Sequence, residues 1–319
     1  MNARILATAT LFSFAGVLTA KAADSQLLSL VMPDAKVLAG VNVDQAKASP
    51  FGQYVLTQMQ FHDQQQLTAL TGFDPTQHVH ELLVASNGGT TGGHQGGLAL
   101  ARGNFDIARI TAAATAHGAV TETYNGVTII EDDKHTGGVA FLDATLVVAG
   151  DLANLKAAID RPTTGLTLPS AVIVQANQWS STQDAWAITT VPPYTLHPST
   201  TAPSLPGVGP NAQTIFQSIQ QAAGGVKFGA MIVVTAQAQA DTAQNAATMG
   251  DALKLLANLA LMHAGQNNPQ LTALVQSLVV TASGNLLKVT ISLPQDQLQQ
   301  IVKPKAAAER PLPRGAKRM

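Results

Sequence analysis

Short apolar blocks separated by polar turns run along residues 24–302 and predict alternating strands and helices. Continuous runs rich in Val, Ile and Leu favour strands, whereas apolar positions three or four residues apart favour helices. Ser49 and Asn104 are predicted helix caps, because their side chains accept hydrogen bonds from the first N–H groups of a helix. In the first half of the chain, residues 24–165, the predicted strands are Val37–Asp44, Leu82–Ser86 and Leu98–Ala101, and the predicted helices are Pro50–Met59 and Phe105–His117.

Two hairpins and a helix are predicted to complete the first half. Asn125-Gly126 separates two strand-like segments, and both residue types tolerate the positive φ angles of a tight hairpin turn. A second hairpin is predicted from Val139–Leu142 to Leu146–Ala149. Asp151 is expected to cap a helix over Leu152–Asp160, and Pro162 is expected to end it, because proline lacks the N–H that a helix interior needs.

The second half, residues 166–302, repeats this order of elements with negligible residue identity. We therefore expect an α+β fold of two similar halves, each an antiparallel sheet with helices packed mainly on one face. Asp241 or Thr242 should cap a long helix that ends before Gly265. The other predictions are strands at Ala185–Val191, Phe228–Thr235, Leu274–Thr281 and Leu286–Leu293, and helices at Ala212–Ala222 and Gln295–Val302.

Three segments read as irregular. Asn87–Gly97 is rich in glycine and Pro192–Pro210 holds six prolines, so both are predicted to be exposed loops. The segment after Val302 is predicted to be disordered.

Gly72-Phe73-Asp74-Pro75 indicates a turn after a helix, because a residue that precedes proline favours extended backbone. Phe73 is expected to anchor this turn in the core.

Residues 1–23 have the pattern of a secretory leader. Arg4 precedes an uncharged, mostly apolar run from Ile5 to Ala20, and Ala20-Lys21-Ala22 provides an A-x-A cleavage site. The apolar run is shorter than the roughly 20 residues that span a bilayer. Cleavage near Ala22 would leave a periplasmic or secreted protein, and the alternative is an uncleaved anchor.

Composition narrows the function classes further. The chain contains no cysteine, which removes disulfides, thiol nucleophiles and cysteine-bound metals. Residues 24–302 carry ten basic and eighteen acidic side chains, which argues against nucleic-acid binding by the folded part. The tail, residues 303–319, has six basic residues and one acidic residue. Such a tail either solubilises the chain or makes weak contact with an anionic membrane or wall polymer.

Candidate chemistry is sparse, and the sequence points to no catalytic residue and no cofactor. The glycine-rich segment lacks both phosphate-binding fingerprints, and no nucleophile motif of the G-x-S-x-G or S-x-x-K type occurs. Two polar clusters are candidate metal ligands: His78 and His80, next to Glu81, and Asp132, Asp133 and His135. A zinc site needs three or four such groups to converge. The alternative is that these are ordinary polar turn residues.

The segment from Asp34 to Asp44, with Ala48-Ser49-Pro50-Phe51-Gly52, resembles the opening of a family of exported bacterial proteins of unknown function that are frequent in acidobacteria. Gly72-Phe73-Asp74-Pro75 and the stretch from Ala140 to Asp151 are similar to later segments of that family. The resemblance implies tandem α+β halves and an envelope location, and it implies no catalytic residues.

These observations lead to a function hypothesis with two alternatives. The leading hypothesis is a non-enzymatic envelope protein that binds a partner protein or a small ligand between its halves. The first alternative is a periplasmic hydrolase, metal-dependent or not, built from the dispersed His and Asp side chains. The second is a degenerate enzyme scaffold that is kept for binding alone.

Overall fold

The computed structural model describes residues 23–58, 68–69, 72–91, 94–132, 134–196, 217–264 and 269–302. The leader before Ala23, most of the proline-rich segment and the basic tail lie outside these residues. Within them, twelve strands form a single sheet. The strands are β1 (Val37–Asn42), β2 (Val79–Thr91), β3 (His94–Gly103), β4 (Thr121–Tyr124), β5 (Val127–Glu131), β6 (Gly137–Asp143), β7 (Leu146–Asp151), β8 (Ala185–Thr189), β9 (Ile219–Lys227), β10 (Met231–Ala240), β11 (Val279–Ser283) and β12 (Leu286–Pro294).

Helices connect and cover the strands. Among the described residues, they are α1 (Ser25–Ser29), α2 (Val43–Ala48), α3 (Pro50–Gln58), α4 (Pro75–His78), α5 (Ile107–Ala116), α6 (Leu152–Thr164), α7 (Ser170–Thr182), α8 (Ala243–Ala264), α9 (Pro269–Gln276) and α10 (Gln295–Val302), with a 3₁₀ turn at Pro193–Thr195. In the described part of the chain, no helix combines the length and the hydropathy needed to cross a membrane.

The strand order is β11-β12-β10-β9-β8-β1-β2-β3-β7-β6-β5-β4, and every neighbouring pair is antiparallel. The two halves meet in the middle of this sheet, where β1 pairs with β8 and Gly40 lies opposite Trp186. The fold is therefore α+β with one continuous antiparallel sheet, and the predicted separate sheet for each half is wrong.

Alternate side chains of the strands enter different hydrophobic clusters, so helices cover both faces of the sheet. In β3, Leu100 packs into the main core with α6 and α7, whereas the next residue, Ala101, packs into a second cluster with Phe105. A third cluster places Met249 of α8 against Leu287 of β12. The prediction of helices mainly on one face therefore does not describe this sheet.

Several local predictions are confirmed. Asn125 and Gly126 have φ angles of 47° and 81° in the β4–β5 turn. The β6–β7 hairpin is present. Asp151 caps α6 by accepting from the N–H of Asn154 at 3.0 Å, and Thr242 caps α8 by accepting from Asn245 at 3.1 Å. These features depend on contacts between near neighbours in sequence, which explains why the sequence predicts them.

Other predicted ends of strands and helices are wrong, because strand pairing lengthens some strands and shifts the ends of others. Residues 87–91 and 94–97 continue β2 and β3 as a hairpin instead of forming an irregular loop. Residues 219–222 belong to β9, because they pair with β10 and the strand continues between β8 and β10. Residues 274–276 are helical, and the strand begins only at Val279.

The caps of two helices also differ from prediction. Asp106, not Asn104, caps α5, and the helix begins at Ile107. Asn42 ends β1 and caps α2, a helix that the apolar pattern did not predict. α6 continues past Pro162 to Thr164, where Gly165 ends it with a φ of 66°. The helix tolerates the proline because it lies in the last turn, which Gly165 closes by donating to the Arg161 carbonyl.

Candidate functional site

A cleft of about 470 Å³ opens at the end of the sheet where β2 begins and β3 ends. Helices α4 and α5 and the β6–β7 turn form its walls. The lining combines aromatic side chains with a few polar groups. The lining residues are Gly72, Phe73, His78, Asn104, Phe105, Asp106, Arg109, Ile110, Ala144 and Thr145.

Aromatic rings form the floor of the cleft. The ring centroids of Phe73 and Phe105 are 5.6 Å apart, and Phe105 also contacts Phe141 at 5.7 Å. Phe105 is buried, whereas Phe73 is half-buried, so Phe73 packs against the cluster from its edge, as the turn prediction expected in part. The imidazole of His78 stacks on Phe73 with a centroid distance of 5.6 Å. The tilted rings therefore offer an apolar surface to a ligand.

Arg109 places a positive charge at the rim of this floor. Its guanidinium lies against the backbone of Gly72, where an added Cβ would come within 2.5 Å of Nη1. Gly72 has a φ of +69°, which disfavours any residue with a side chain. Within the described residues, the Arg109 side chain makes no hydrogen bond and no ion pair. Gly72 therefore leaves room for a cationic group that has no protein partner there.

The first turn of α5 fixes the polar groups beside Arg109. Asp106 Oδ1 accepts from the N–H of Arg109 at 3.0 Å. Thr145 is held from the other side, because its hydroxyl donates to Asp143 at 2.7 Å and accepts from Arg102 at 2.9 Å. The hydroxyl and N–H of Thr145 hold the pKa of Asp143 below its usual range. These side chains are oriented before any ligand arrives.

The structure separates the roles of the two predicted histidines. His78 ends α4, and its Nδ1 lies 3.1 Å from the N–H and 3.0 Å from the carbonyl of Asp74. His80 lies in β2, with Nδ1 3.1 Å from both carboxylate oxygens of Asp44. Its Nε2 is 3.1 Å from the amide nitrogen of Asn104. His80 therefore connects α2 to the cleft wall, and His78 belongs to the cleft itself.

The second predicted cluster organises the turn between β5 and β6. The N–H of Thr136 donates to Asp132 at 2.9 Å and that of Lys134 at 3.1 Å, and these bonds hold the pKa of Asp132 below its usual range. His135 contacts the carboxylate of Glu131. Asp133 lies outside the described residues. The polar side chains thus shape a turn that has His135 at a φ of 53°.

The strand register places the two clusters at opposite ends of the sheet. His78 and His80 lie where β2 begins, whereas Asp132 and His135 follow the far end of β5. The described ranges contain no group of three or more His, Asp or Glu side chains close enough to share a metal ion. The structure therefore does not bring these candidate ligands together.

The central residue of the cleft, Arg109, was not among the candidates from sequence. The sequence does contain one signal that points to Arg109: it is the only charged side chain in the alanine-rich helix α5. Asn104 was noticed as a helix cap, and its actual contact is with His80. Sequence spacing relates residues within one element, whereas this cleft joins residues 72–78, 104–110 and 144–145 from separate elements.

Comparison with known proteins identifies the fold. No protein-family model matches the sequence, and no curated protein is significantly similar to it. Crystal form III of TP0453 matches with a TM-score of 0.52 and 10% sequence identity, over 86% of this chain and 96% of TP0453. The chain shares the fold of TP0453. Crystal forms I and IV of TP0453 give TM-scores of 0.51 and 0.52 at 10% identity.

The likeness to TP0453 extends over nearly the whole of both proteins. Crystal form IV is matched over 91% of this chain and 100% of TP0453, and crystal form I over 88% and 97%. At this level of identity, the likeness concerns the fold alone, and the chemistry of the cleft is argued from the side chains of this chain.

Proposed function

We propose that this protein is an exported, non-enzymatic envelope protein whose cleft binds a small ligand with one anionic group and an apolar body. The observation that carries the proposal is the guanidinium of Arg109, which lies over an aromatic floor and has no partner among the described residues. A carboxylate is the simplest complement to a guanidinium, because the two groups form paired hydrogen bonds. The rings of Phe73 and Phe105 would contact the apolar part of such a ligand.

The charges around the cleft limit the anion to a small one. Asp106 lies one turn before Arg109 and contributes a negative charge to the same rim. The carboxylate of Asp106 would repel a ligand with several phosphates. A ligand with a single carboxylate can bind Arg109 without contacting Asp106. Asn104 and Thr145 add neutral polar groups for orientation.

The hydrogen bonds around the cleft support binding over catalysis. The Thr145 hydroxyl donates to Asp143, and the lowered pKa of that carboxylate makes it a poor base for activating a nucleophile. His80 has carboxylate oxygens at one ring nitrogen and an amide at the other. A nucleophile would need that second nitrogen as its base.

Calorimetric titration with 3-phenylpropanoate tests this function, with 3-phenylpropan-1-ol as the uncharged probe. We expect saturable binding of the acid and much weaker binding of the alcohol. Arg109→Gln should weaken acid binding about 10- to 100-fold, since a hydrogen bond to a charged group contributes about 1.5–3 kcal/mol. Lys134→Gln removes a positive charge at the other end of the sheet and should leave binding unchanged. Equal affinity for both probes, or no effect of Arg109→Gln, would contradict the proposal.

The hydrolase alternative rests on one observation, the Asp44–His80–Asn104 chain of hydrogen bonds. It orients an imidazole in the way a general base is oriented. Stoichiometric zinc or manganese in the purified protein, lost in the His80→Ala variant, would favour the hydrolase over the binding protein.

Internal duplication and membership of the exported family with tandem halves are part of the same proposal. Read outward from the centre, the sheet order is β1-β2-β3-β7-β6 in the first half and β8-β9-β10-β12-β11 in the second. When the β4–β5 hairpin is set aside, each half places its fifth strand in chain order beside its third. This common order supports duplication, and the β4–β5 hairpin would then be an addition to the first half.

Export itself is tested by fractionation. We expect the chain without its leader in the periplasm or the medium, with the basic tail giving at most weak, salt-sensitive attachment to the envelope. Recovery of the full-length chain from the cytosol would contradict export. Deletion of residues 303–319 without any change in envelope association would leave the tail a solubilising role only.

A further inference from the structure

A second, much smaller polar cavity lies between β2, α7 and the start of β8. It has room for about 10 Å³, which is about one water molecule. Its lining includes the oxygen acceptors of Glu81, Ser180, Gln183 and Asp184, together with Val41, Asn42 and Trp186. Glu81 and Ser180 also hold the backbone of Ala23 and Asp24, so the cavity adjoins this segment.

One acceptor that lines this cavity has no donor among the described residues. The Oε1 atom of Gln183 is buried and has no hydrogen-bond partner among the described residues. A buried carbonyl oxygen without a donor costs free energy, so the cavity favours an occupant that donates hydrogen bonds. Ser180 Oγ accepts from the nitrogen of Ala23 at 2.7 Å, and Glu81 Oε1 accepts from that of Asp24 at 3.1 Å.

Ala23 is fixed at this position by its own segment. Its relative exposure is 8%, and Leu27, Leu28 and Leu30 after it are buried in the main core. Asp24 forms an ion pair with Arg102 at 2.9 Å. The nitrogen of Ala23 is therefore held beside the cavity by contacts that do not involve any residue before it.

The leader motif ends at this same residue. Ala20-Lys21-Ala22 directs cleavage to the bond between Ala22 and Ala23. Hydrolysis of that bond consumes one water, leaves a carboxylate on Ala22 and converts the amide nitrogen of Ala23 into an ammonium group. An amide N–H donates one hydrogen bond, whereas an ammonium donates three.

We propose that this cavity is the binding site for the α-ammonium group of Ala23, which leader cleavage creates. One N–H keeps the bond to Ser180 Oγ, and the other two donate to Gln183 Oε1 and to Glu81. Leader removal then adds an ionic anchor that fastens the first segment of the mature chain to β2 and α7. The biological route rests on the proposed export, whereas the binding site does not.

The charges that face the cavity favour a further cation. Glu81 on β2, Asp184 before β8 and Asp24 beside Ala23 contribute three carboxylates. Arg102 pairs with Asp24, and Lys227 pairs with Asp184 at 2.6 Å. Arg102 also interacts electrostatically with Glu81, so an ammonium at Ala23 would join an existing network of carboxylates and cations.

This arrangement makes stability depend on pH in a defined direction. A free α-amino group titrates at about 7.7–8.0, and binding to acceptors and carboxylates raises that pKa in the folded protein. The stabilisation is then complete below about pH 7.7 and is lost as the pH rises through the folded value.

Two forms of the purified protein test the site: the chain from Ala23 to Met319, and the same chain preceded by Gly-Ser. NMR titration should give the Ala23 amine a pKa above 8 in the first form. At pH 6.5 the first form should melt about 2–4 °C higher than the extended form, and the difference should disappear by pH 10. An amine that titrates at or below 7.7, or equal melting temperatures at pH 6.5, would overturn the proposal.

Variants identify the groups that bind the ammonium. Glu81→Gln and Gln183→Met should each reduce the difference in melting temperature between the two forms at pH 6.5. Glu122→Gln, on the far strand β4, should affect both forms equally and preserve the difference. An unchanged difference in both cavity variants would contradict the assignment of these acceptors.

The intact mass of the exported protein tests the biological route separately. A mature chain that begins at Ala23 supports the proposal, and one that begins at another residue overturns it, because no ammonium then forms at this site. Retention of the leader in the cytosol contradicts export itself, while the NMR titration still decides whether the cavity binds an ammonium.

Discussion

The five strands nearest the centre of the sheet follow the same order in both halves, yet the cleft around Arg109 lies in the first half. The difference begins after the third strand of each half. In the first half, β3 is followed by α5, a helix of 10 residues, whereas in the second half β10 is followed by α8, a helix of 22 residues. Ala246 and Met249 of α8 pack on Leu287 and close that region with apolar contacts.

Equivalent helix positions show the same contrast at the level of one side chain. Three residues after its cap, α5 carries Arg109, which has no partner among the described residues. Three residues after its cap, α8 carries Asn245, whose amide donates to Asp241 at 2.8 Å. The short connection leaves a cleft beside a cation that has no partner among the described residues, whereas the long connection packs into a hydrophobic cluster. The connection, rather than the strand order, therefore decides where the cleft lies.

The largest expected effect tests whether the halves unfold together. Leu100→Ala in β3 removes a fully buried side chain and should cost about 2–5 kcal/mol. Because β1 pairs with β8 along its length, calorimetry should show one transition that moves as a whole. Leu287→Ala in β12 should move the same transition. Two transitions, of which each variant shifts only one, would show that the halves are independent units.

A smaller effect is expected at the junction of the halves. Gly40 faces Trp186 so closely that an added Cβ would lie 2.7 Å from the indole ring. Gly40→Val should therefore cost about 1–3 kcal/mol through overpacking. Gly224→Val, where the nearest atom to an added Cβ is 3.4 Å away, is the matched substitution on β9 and should cost less in chemical denaturation. Equal losses of unfolding free energy in the two variants would mean that β1 and β8 can separate without affecting the rest of the sheet.

Removing the caps of α5 and α8 should cost about 1 kcal/mol each. Asp106→Ala and Thr242→Ala both remove the side-chain oxygen that accepts from the first helical turn. The first variant should also weaken 3-phenylpropanoate binding, because the turn that carries Arg109 loosens. The second should leave binding unchanged. Weaker binding in Thr242→Ala, or unchanged binding in Asp106→Ala, would contradict the proposed difference between the α5 and α8 connections.

The smallest effect concerns the first segment of the chain at low pH. Burial alone would raise the pKa of Asp24, but Arg102 and the N–H groups of Gln26 and Leu27 lower it below the ordinary value of 3.8. The resulting stabilisation is present above that value and is lost as the pH falls below it. Asp24→Asn should destabilise the protein at pH 7 and flatten its melting-temperature profile at acid pH. Asp44→Asn, on an exposed carboxylate, is the control.

Local features were the ones that the sequence predicted well. Asn125-Gly126 formed its turn, and Asp151 capped its helix, because each feature depends on atoms only a few residues apart. The cap at Asp106 was assigned to Asn104, two residues earlier, because both side chains can cap and only the course of β3 decides between them. The strand at residues 219–222 is not predicted because glutamine and alanine favour helices, and only pairing with β10 makes this segment extended.

The sequence by itself determined the class of the fold, the absence of disulfides and most of the turns, since composition and near-neighbour contacts are sufficient for these. Only the tertiary structure decided that two runs of strands form one sheet, that His78 and Asp132 lie at opposite ends of it, and that Arg109 meets Gly72. The physical reason is that strand pairing brings together residues far apart in sequence. Their distances follow from register and packing, which no local pattern encodes.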